Sequence, residues 1–186
     1  MKLLANGCSF TWGGAIYPSL HDPDGLLMDD KNPHPLNQER LNCVWPCHLG
    51  KLLSTTDTIN LSMGCGSNER IVRTTMDYIT NEIVSGRPVD DIVAVIQWTH
   101  AHRFEYWDEE KDCWVLAMPS SVITSKKLSY EESKSFQKFT DVVYTNLSDK
   151  THAQRYWTQV VALASFLENH NIPYWFTNLG ADHYNF

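Results

Sequence analysis

Four short apolar runs, separated by stretches with helical spacing, set the pattern of this chain. Residues 2–8, 58–62, 92–98 and 173–178 read as buried strands. The third contains Ile92-Val93-Ala94-Val95-Ile96, a near-continuous β-branched run, which predicts a parallel strand covered on both faces. Between the strands, 45–53 reads as a short helix with Leu49, Leu52 and Leu53 on its apolar side. Residues 68–84 place Ile71, Thr75, Tyr78, Ile79 and Ile83 at helical spacing, and 156–169 does the same with Val160, Leu163, Ala164 and Leu167. Alternation of strand and helix predicts right-handed crossovers and a three-layer α/β/α sandwich around a parallel sheet.

Two excursions interrupt the alternation. Residues 12–42 carry Pro18, Pro23, Pro33 and Pro35 with an Asp22-Pro23-Asp24-Gly25 turn. That stretch reads as a loop, and its length suits a lid or a substrate-shaping insertion. Residues 103–116 mix aromatics with Asp108-Glu109-Glu110-Lys111-Asp112 and read as a β-hairpin. There is no internal repeat, linker or composition break, so a single domain over 1–186 is expected.

Composition changes the picture little. A chain of 186 residues with seven Trp, eight Tyr and seven Phe can bury a substantial core. Its net charge of −7 gives a nucleic-acid partner no electrostatic support. No run approaches the roughly 20 apolar residues of a membrane span. The first apolar run is too short for a secretion signal and leads directly into a serine turn. Cys8, Cys43, Cys47, Cys65 and Cys113 are then expected as reduced thiols in a soluble, cytoplasmic protein.

Candidate chemistry begins where the first strand ends. Gly7-Cys8-Ser9-Phe10-Thr11-Trp12-Gly13-Gly14 sets a serine between glycines at a strand–turn–helix junction, the arrangement that presents a hydroxyl at the mouth of a parallel sheet. Beyond the second strand, Asn60-Leu61-Ser62-Met63-Gly64-Cys65-Gly66-Ser67-Asn68 is a small-residue turn. Ser67 or Asn68 would cap the following helix, and the backbone N–H groups of the turn could hold an oxyanion beside Ser9.

These blocks resemble the SGNH, or GDSL-type, hydrolases, whose first block reads Gly-Asp-Ser-x-Thr. Cys8 stands in the Asp place. The resemblance implies a flavodoxin-like fold, here short of its last strand. It implies an acylhydrolase acting on a small-molecule ester or acetylated carbohydrate, with Ser9 as nucleophile and no cofactor, metal, nucleic acid or membrane involved. The family's second block, Asn-x-x-x-x-Gly, counts from Asn60 to Cys65, with Gly64 and Gly66 flanking, so the oxyanion donors would be the N–H groups of Ser9 and of Cys65 or its neighbours. Its third block supplies an Asn after the third strand. The chain has Thr99 and His100 there instead, and His100 is the corresponding oxyanion candidate.

A serine hydroxyl needs a base. The family supplies it late, as Asp-x-x-His. The late candidates here, Asp182 and His183, are adjacent rather than three apart, so they would point opposite ways on an extended segment. His100 and His102 lie near the catalytic edge, while Asp149-Lys150-Thr151-His152 reads as a helix start in the wrong part of the fold. A fragment or shortened relative lacking the last strand and catalytic pair is the simplest expectation. The alternative is an inactive SGNH-like binding or structural module, with Phe104-Glu105-Tyr106-Trp107 stacking on sugars. Cys43-x-x-x-Cys47-His48 with Cys65 has only one of the two paired knuckles of a structural zinc site. Asp108-Glu109-Glu110 and Glu131-Glu132 read as solvated faces, and no phosphate-binding glycine loop with its lysine is present.

Overall fold

The structure is a computed structural model that describes residues 1–14, 35–110, 112–118, 121–124 and 130–178. Its centre is a four-stranded parallel sheet, built from β1 (Lys2–Asn6), β2 (Asp57–Asn60), β3 (Ile92–Trp98) and the last strand among the described residues. Before β2 come a single turn, α1 (Ser9–Trp12), then α2 (Pro35–Cys43) and α3 (Trp45–Leu52); after it comes α4 (Asn68–Val84). A three-stranded antiparallel sheet follows β3, made of β4 (Phe104–Asp108), β5 (Cys113–Met118) and β6 (Ser121–Thr124) in that order. Two long helices, α5 (Tyr130–Asn146) and α6 (Asp149–Asn169), then lead to β7 (Tyr174–Asn178).

The parallel sheet has the order β2-β1-β3-β7. Leu3 and Leu4 are consecutive in β1, so they point to opposite faces, and both are fully buried. The sheet is therefore covered on both sides at its centre. α3 packs on β1 and β2, while α4 packs on β3 and on α6. Leu4 pairs with Ala94 in register, which puts Ile92, Ala94, Ile96 and Trp98 on the face that meets Ile71 and Ile79 of α4 and Leu163 and Leu167 of α6. Trp98 closes this core at the carboxyl end, edge-on to Phe176 at 5.2 Å and to Tyr156 at 6.0 Å.

The four strands and the helices 45–53 and 68–84 fall within a residue or two of expectation, with three differences. The stretch 12–42, read as a loop, contains α2, while its residues 15–34 lie outside the described residues. The helix start read at Asp149 to His152 and the apolar stripe expected from 156 are one helix, which begins at Asp149 with Ser148 as its cap accepting from the Thr151 N–H at 3.3 Å. Its first turns bury His152, Ala153 and Tyr156, which an apolar count does not register. The hairpin expected at 103–116 is two strands of a three-stranded sheet, and α5, in which Glu131 and Glu132 form the first turn, was not anticipated.

The antiparallel sheet leaves only Trp107 of the aromatic segment Phe104 to Trp107 exposed. Phe104, Glu105, Tyr106 and Trp107 form β4, and most of that strand is packed. Tyr106 lies against Phe136 and Phe139 of α5, and Phe104 against Tyr144. Glu105 is buried and takes a two-pronged contact from Arg73 of α4, with Nε at 2.8 Å and Nη2 at 3.1 Å. The same guanidinium sits over Trp114 at 4.0 Å. A bidentate ion pair capped by an aromatic face thus clamps the small sheet to α4.

Candidate functional site

In this strand order the chain leaves β1 toward β2 and returns past it to β3. The crevice at the carboxyl ends of β1 and β3 is where such sheets bind ligands. Ser9 lies there, two residues beyond the Asn6-Gly7 end of β1 and first in α1. The turn is held by buried amides and hydroxyls. Asn6 accepts from the Gly7 N–H at 2.8 Å and donates to the Ile71 carbonyl and to the Thr74 and Thr75 hydroxyls at 2.9–3.1 Å. Thr11 donates to Gln97 Oε1 of β3 at 2.8 Å and lies 3.4 Å from Trp45 Nε1, which donates to it.

Gly7 is required here by space. Its backbone is not left-handed, but a Cβ at that position would lie 2.2 Å from Thr11 Oγ1 and 3.2 Å from the Gln97 Cβ. The Gly-x-Ser-x-Thr spacing therefore has a packing meaning: the glycine makes room for the threonine, which ties the serine turn to β3. Gly13 ends α1 in left-handed backbone at φ 88°, and its N–H and that of Gly14 both donate to the Ser9 carbonyl at 2.8 Å.

The second block folds against the first. Asn60 donates to the Thr11 carbonyl at 3.2 Å and accepts from the Ser62 N–H at 3.1 Å and from the Ser62 hydroxyl. Ser67 caps α4, accepting from the Arg70 N–H at 3.1 Å. Asn68, the other cap candidate, instead spans to the end of β3, where its side chain donates to the Thr99 carbonyl at 3.1 Å and accepts from the Thr99 N–H at 2.9 Å. Cys65 holds a left-handed backbone at φ 62°, a conformation that favours glycine. Burial pushes its thiol pKa up, and the Arg103 charge pulls it back in part.

Ser9, Trp12, Val44, Trp45, Gly64 and Cys65 line one cavity of about 620 Å³. Among the described residues the N–H groups of Ser9, Gly64 and Cys65 have no acceptor, whereas that of Gly66 donates to the Met63 carbonyl at 3.1 Å. Gly66 is thereby removed from the oxyanion candidates, and Gly64 and Cys65 remain. Among the described residues no hydrogen bond reaches Ser9 Oγ. His100 is exposed at the end of β3 and is not part of the cavity wall. Asp182 and His183 lie outside the described residues. Cys8 is fully buried, so its thiol belongs to the core.

A second polar group on the same sheet edge has little signature in the residue pattern. His102 and His152 have ring centroids 4.7 Å apart, and Tyr144 stacks on His152 at 5.9 Å. The Tyr144 hydroxyl donates to the carbonyls of His102 and Ala117. Burial raises its pKa well above the usual phenol range. His102 Nε2 lies 3.4 Å from Asp149 Oδ1. His152 is buried with no partner for Nδ1 among the described residues, and burial, His102 and Arg155 together lower its pKa. A lone Asp-x-x-His spacing carries no signal that its histidine will be enclosed by Tyr144 and His102.

The chain belongs to a family of unknown function (DUF6071), whose model matches residues 25–183. The match takes in Gly64, Cys65, Arg103 and the Asp182-His183 pair and begins after the Ser9 turn. No curated protein and no solved structure matches the chain.

Proposed function

We propose that this DUF6071 chain is a serine acylhydrolase of the SGNH type, with a flavodoxin-like fold, acting on a small ester or acetylated carbohydrate. Ser9 Oγ attacks the ester carbonyl, and the N–H groups of Ser9 and of Cys65 or Gly64 take the charge that develops on the carbonyl oxygen. A histidine removes the serine proton and returns it to the departing alkoxide. His183 is the candidate by its late place in the chain, with the adjacent Asp182 unable to orient it as the family's Asp-x-x-His does if that segment is extended. His102, half-exposed on the same sheet edge and beside Asp149, is the alternative base.

One observation carries this reading: Ser9 shares a cavity with two residues whose N–H groups, like its own, have no acceptor among the described residues. Buried or half-buried donors are ordinarily paired, so three unpaired ones around a serine suit an incoming oxyanion. The test is labelling of the folded chain with a fluorophosphonate and mapping of the modified peptide. An adduct on Ser9 that vanishes in Ser9→Ala, together with loss of esterase turnover, is the expected result. Unchanged turnover in Ser9→Ala would sink the reading.

A second reading, an inactive module that binds without hydrolysis, is favoured by the Ser9 hydroxyl having no base within hydrogen-bonding distance among the described residues. Ligand binding that survives Ser9→Ala, with neither adduct nor hydrolysis in the parent, would select it.

A further inference from the structure

Arg103 differs from the arginines of α4 and α6 that hold a carboxylate: Arg73 holds Glu105 and Arg155 holds Glu69. Arg103 is half-buried, and among the described residues no carboxylate lies within ion-pair distance of it. Among the described residues the hydrogen bond of its guanidinium is a long one, Nη1 at 3.5 Å from the Gly66 carbonyl. A guanidinium has five donors in a rigid fork matched to carboxylate or phosphate, and taking one half out of water without a charged partner is costly.

Its place is fixed and informative. The backbone turns directly after β3, with the Arg103 N–H donating to the His100 carbonyl at 3.2 Å. That turn is anchored to α4 through the paired hydrogen bonds of Asn68 and Thr99. The head group reaches back over the 64–66 turn. There Gly66 abuts Gly7 so closely that a Cβ on Gly66 would lie 3.3 Å from the Gly7 carbonyl oxygen. The charge is felt at the Cys65 thiol, in the cavity wall shared with Ser9. Arg103 is thus held one residue layer from the serine turn, with most of its donors unused among the described residues.

We infer that Arg103 is an anion-recognising residue just beyond the Cys65 wall of the Ser9 cavity, so that a substrate reaching past that wall carries a carboxylate or phosphate group. The inference rests on the hydrolase reading for the word substrate, but the binding site itself does not. The acidic net charge of −7 disfavours diffuse anion binding, so a saturable response reports a local site.

The test uses Ser9→Ala, which cannot turn over, labelled with ¹⁵N and titrated separately with succinate and with inorganic phosphate. Arg103 Nε–Hε should shift saturably with at least one of them, and the shift identifies which anion is preferred. In Ser9→Ala/Arg103→Gln, affinity should fall by 10-fold or more, the scale of a lost charge-assisted hydrogen bond. Arg103→Lys should fall between, because it keeps the charge without the fork. In the otherwise unaltered chain, kcat/KM for the 4-nitrophenyl monoester of succinate should exceed that for 4-nitrophenyl acetate by about 10-fold or more. The advantage should reside mainly in KM and collapse toward unity in Arg103→Gln.

Equal affinity in Ser9→Ala with and without Arg103→Gln, or no saturable response to either anion, would overturn the inference. Urea midpoints of the variants show whether any loss comes from unfolding, and Arg103→Lys serves if the glutamine variant does not fold. Arg103-dependent binding without a fluorophosphonate adduct on Ser9 would leave the anion site standing and remove the hydrolase reading.

Discussion

Gly7→Ala tests whether the serine turn is organised as described. The new methyl would lie 2.2 Å from Thr11 Oγ1 and 2.9 Å from the Thr11 Cβ, in a region where Thr11 is fully buried. Thr11 must move, and the 2.8 Å bond to Gln97 Oε1 breaks with it. Forcing a methyl into packed interior costs about 1–3 kcal/mol, and stranding a buried polar pair costs a further 1–3 kcal/mol or so. The expected loss is therefore about 2–6 kcal/mol, a large part of the roughly 5–15 kcal/mol by which a domain is stable. Urea unfolding followed by tryptophan fluorescence measures it, provided the slope with denaturant is unchanged. The informative comparison is Gly7→Ala made in Thr11→Ala. That background removes the worst contact while leaving the Cβ at 2.9 Å, so the two changes should couple by about 1–3 kcal/mol. A loss below about 1 kcal/mol for Gly7→Ala alone, or strict additivity within about 0.5 kcal/mol, would refute the account.

Three further expectations concern other parts of the molecule. Cys65→Gly relieves a left-handed backbone that costs a side-chain-bearing residue about 1–2 kcal/mol, against about 0.5–1 kcal/mol of added chain entropy. It should leave stability level or raise it by up to about 1 kcal/mol, whereas Cys65→Val should lower it, both read from urea midpoints. Arg73→Ala abandons the carboxylate of Glu105, whose side chain is 1% exposed, and should cost about 3–5 kcal/mol. Glu105→Gln, which removes the charge itself, should cost less, and the reverse order would contradict the clamp. His152 has its pKa lowered from 6.5, chiefly by burial, so the unfolded chain takes up its proton before the folded one does. Stability is then full above about pH 6.5 and falls as pH drops toward the depressed folded value. His152→Phe should flatten that part of the pH profile, and an unchanged slope would count against the assignment.

The hydrophobic pattern determined the sheet. β3 was legible to the residue because Ile92 to Ile96 has no reading other than a buried strand, and α4 because its apolar positions and Ser67 cap agree. The serine turn was legible too, since glycine, serine and threonine at that spacing leave few alternatives. What the sequence could not supply was the reason for the spacing. Gly7 gives way to a threonine hydroxyl, and that hydroxyl matters because β3 puts Gln97 beside it, 86 residues along the chain. The start of α6 was legible at Asp149 to His152, but its buried face was hidden because it is made by His152 and Tyr156, residues equally at home on a surface. Arg103, Glu105 and the His102–His152–Tyr144 group were invisible for the same reason: a charged or aromatic side chain shows its type in sequence, but its partner and burial are set by elements far away. Tertiary structure alone decided that Glu105 meets a cation and that Arg103 meets no carboxylate among the described residues. Local pattern fixes which segments must be buried, and only their packing fixes which polar groups are buried with them, and beside what.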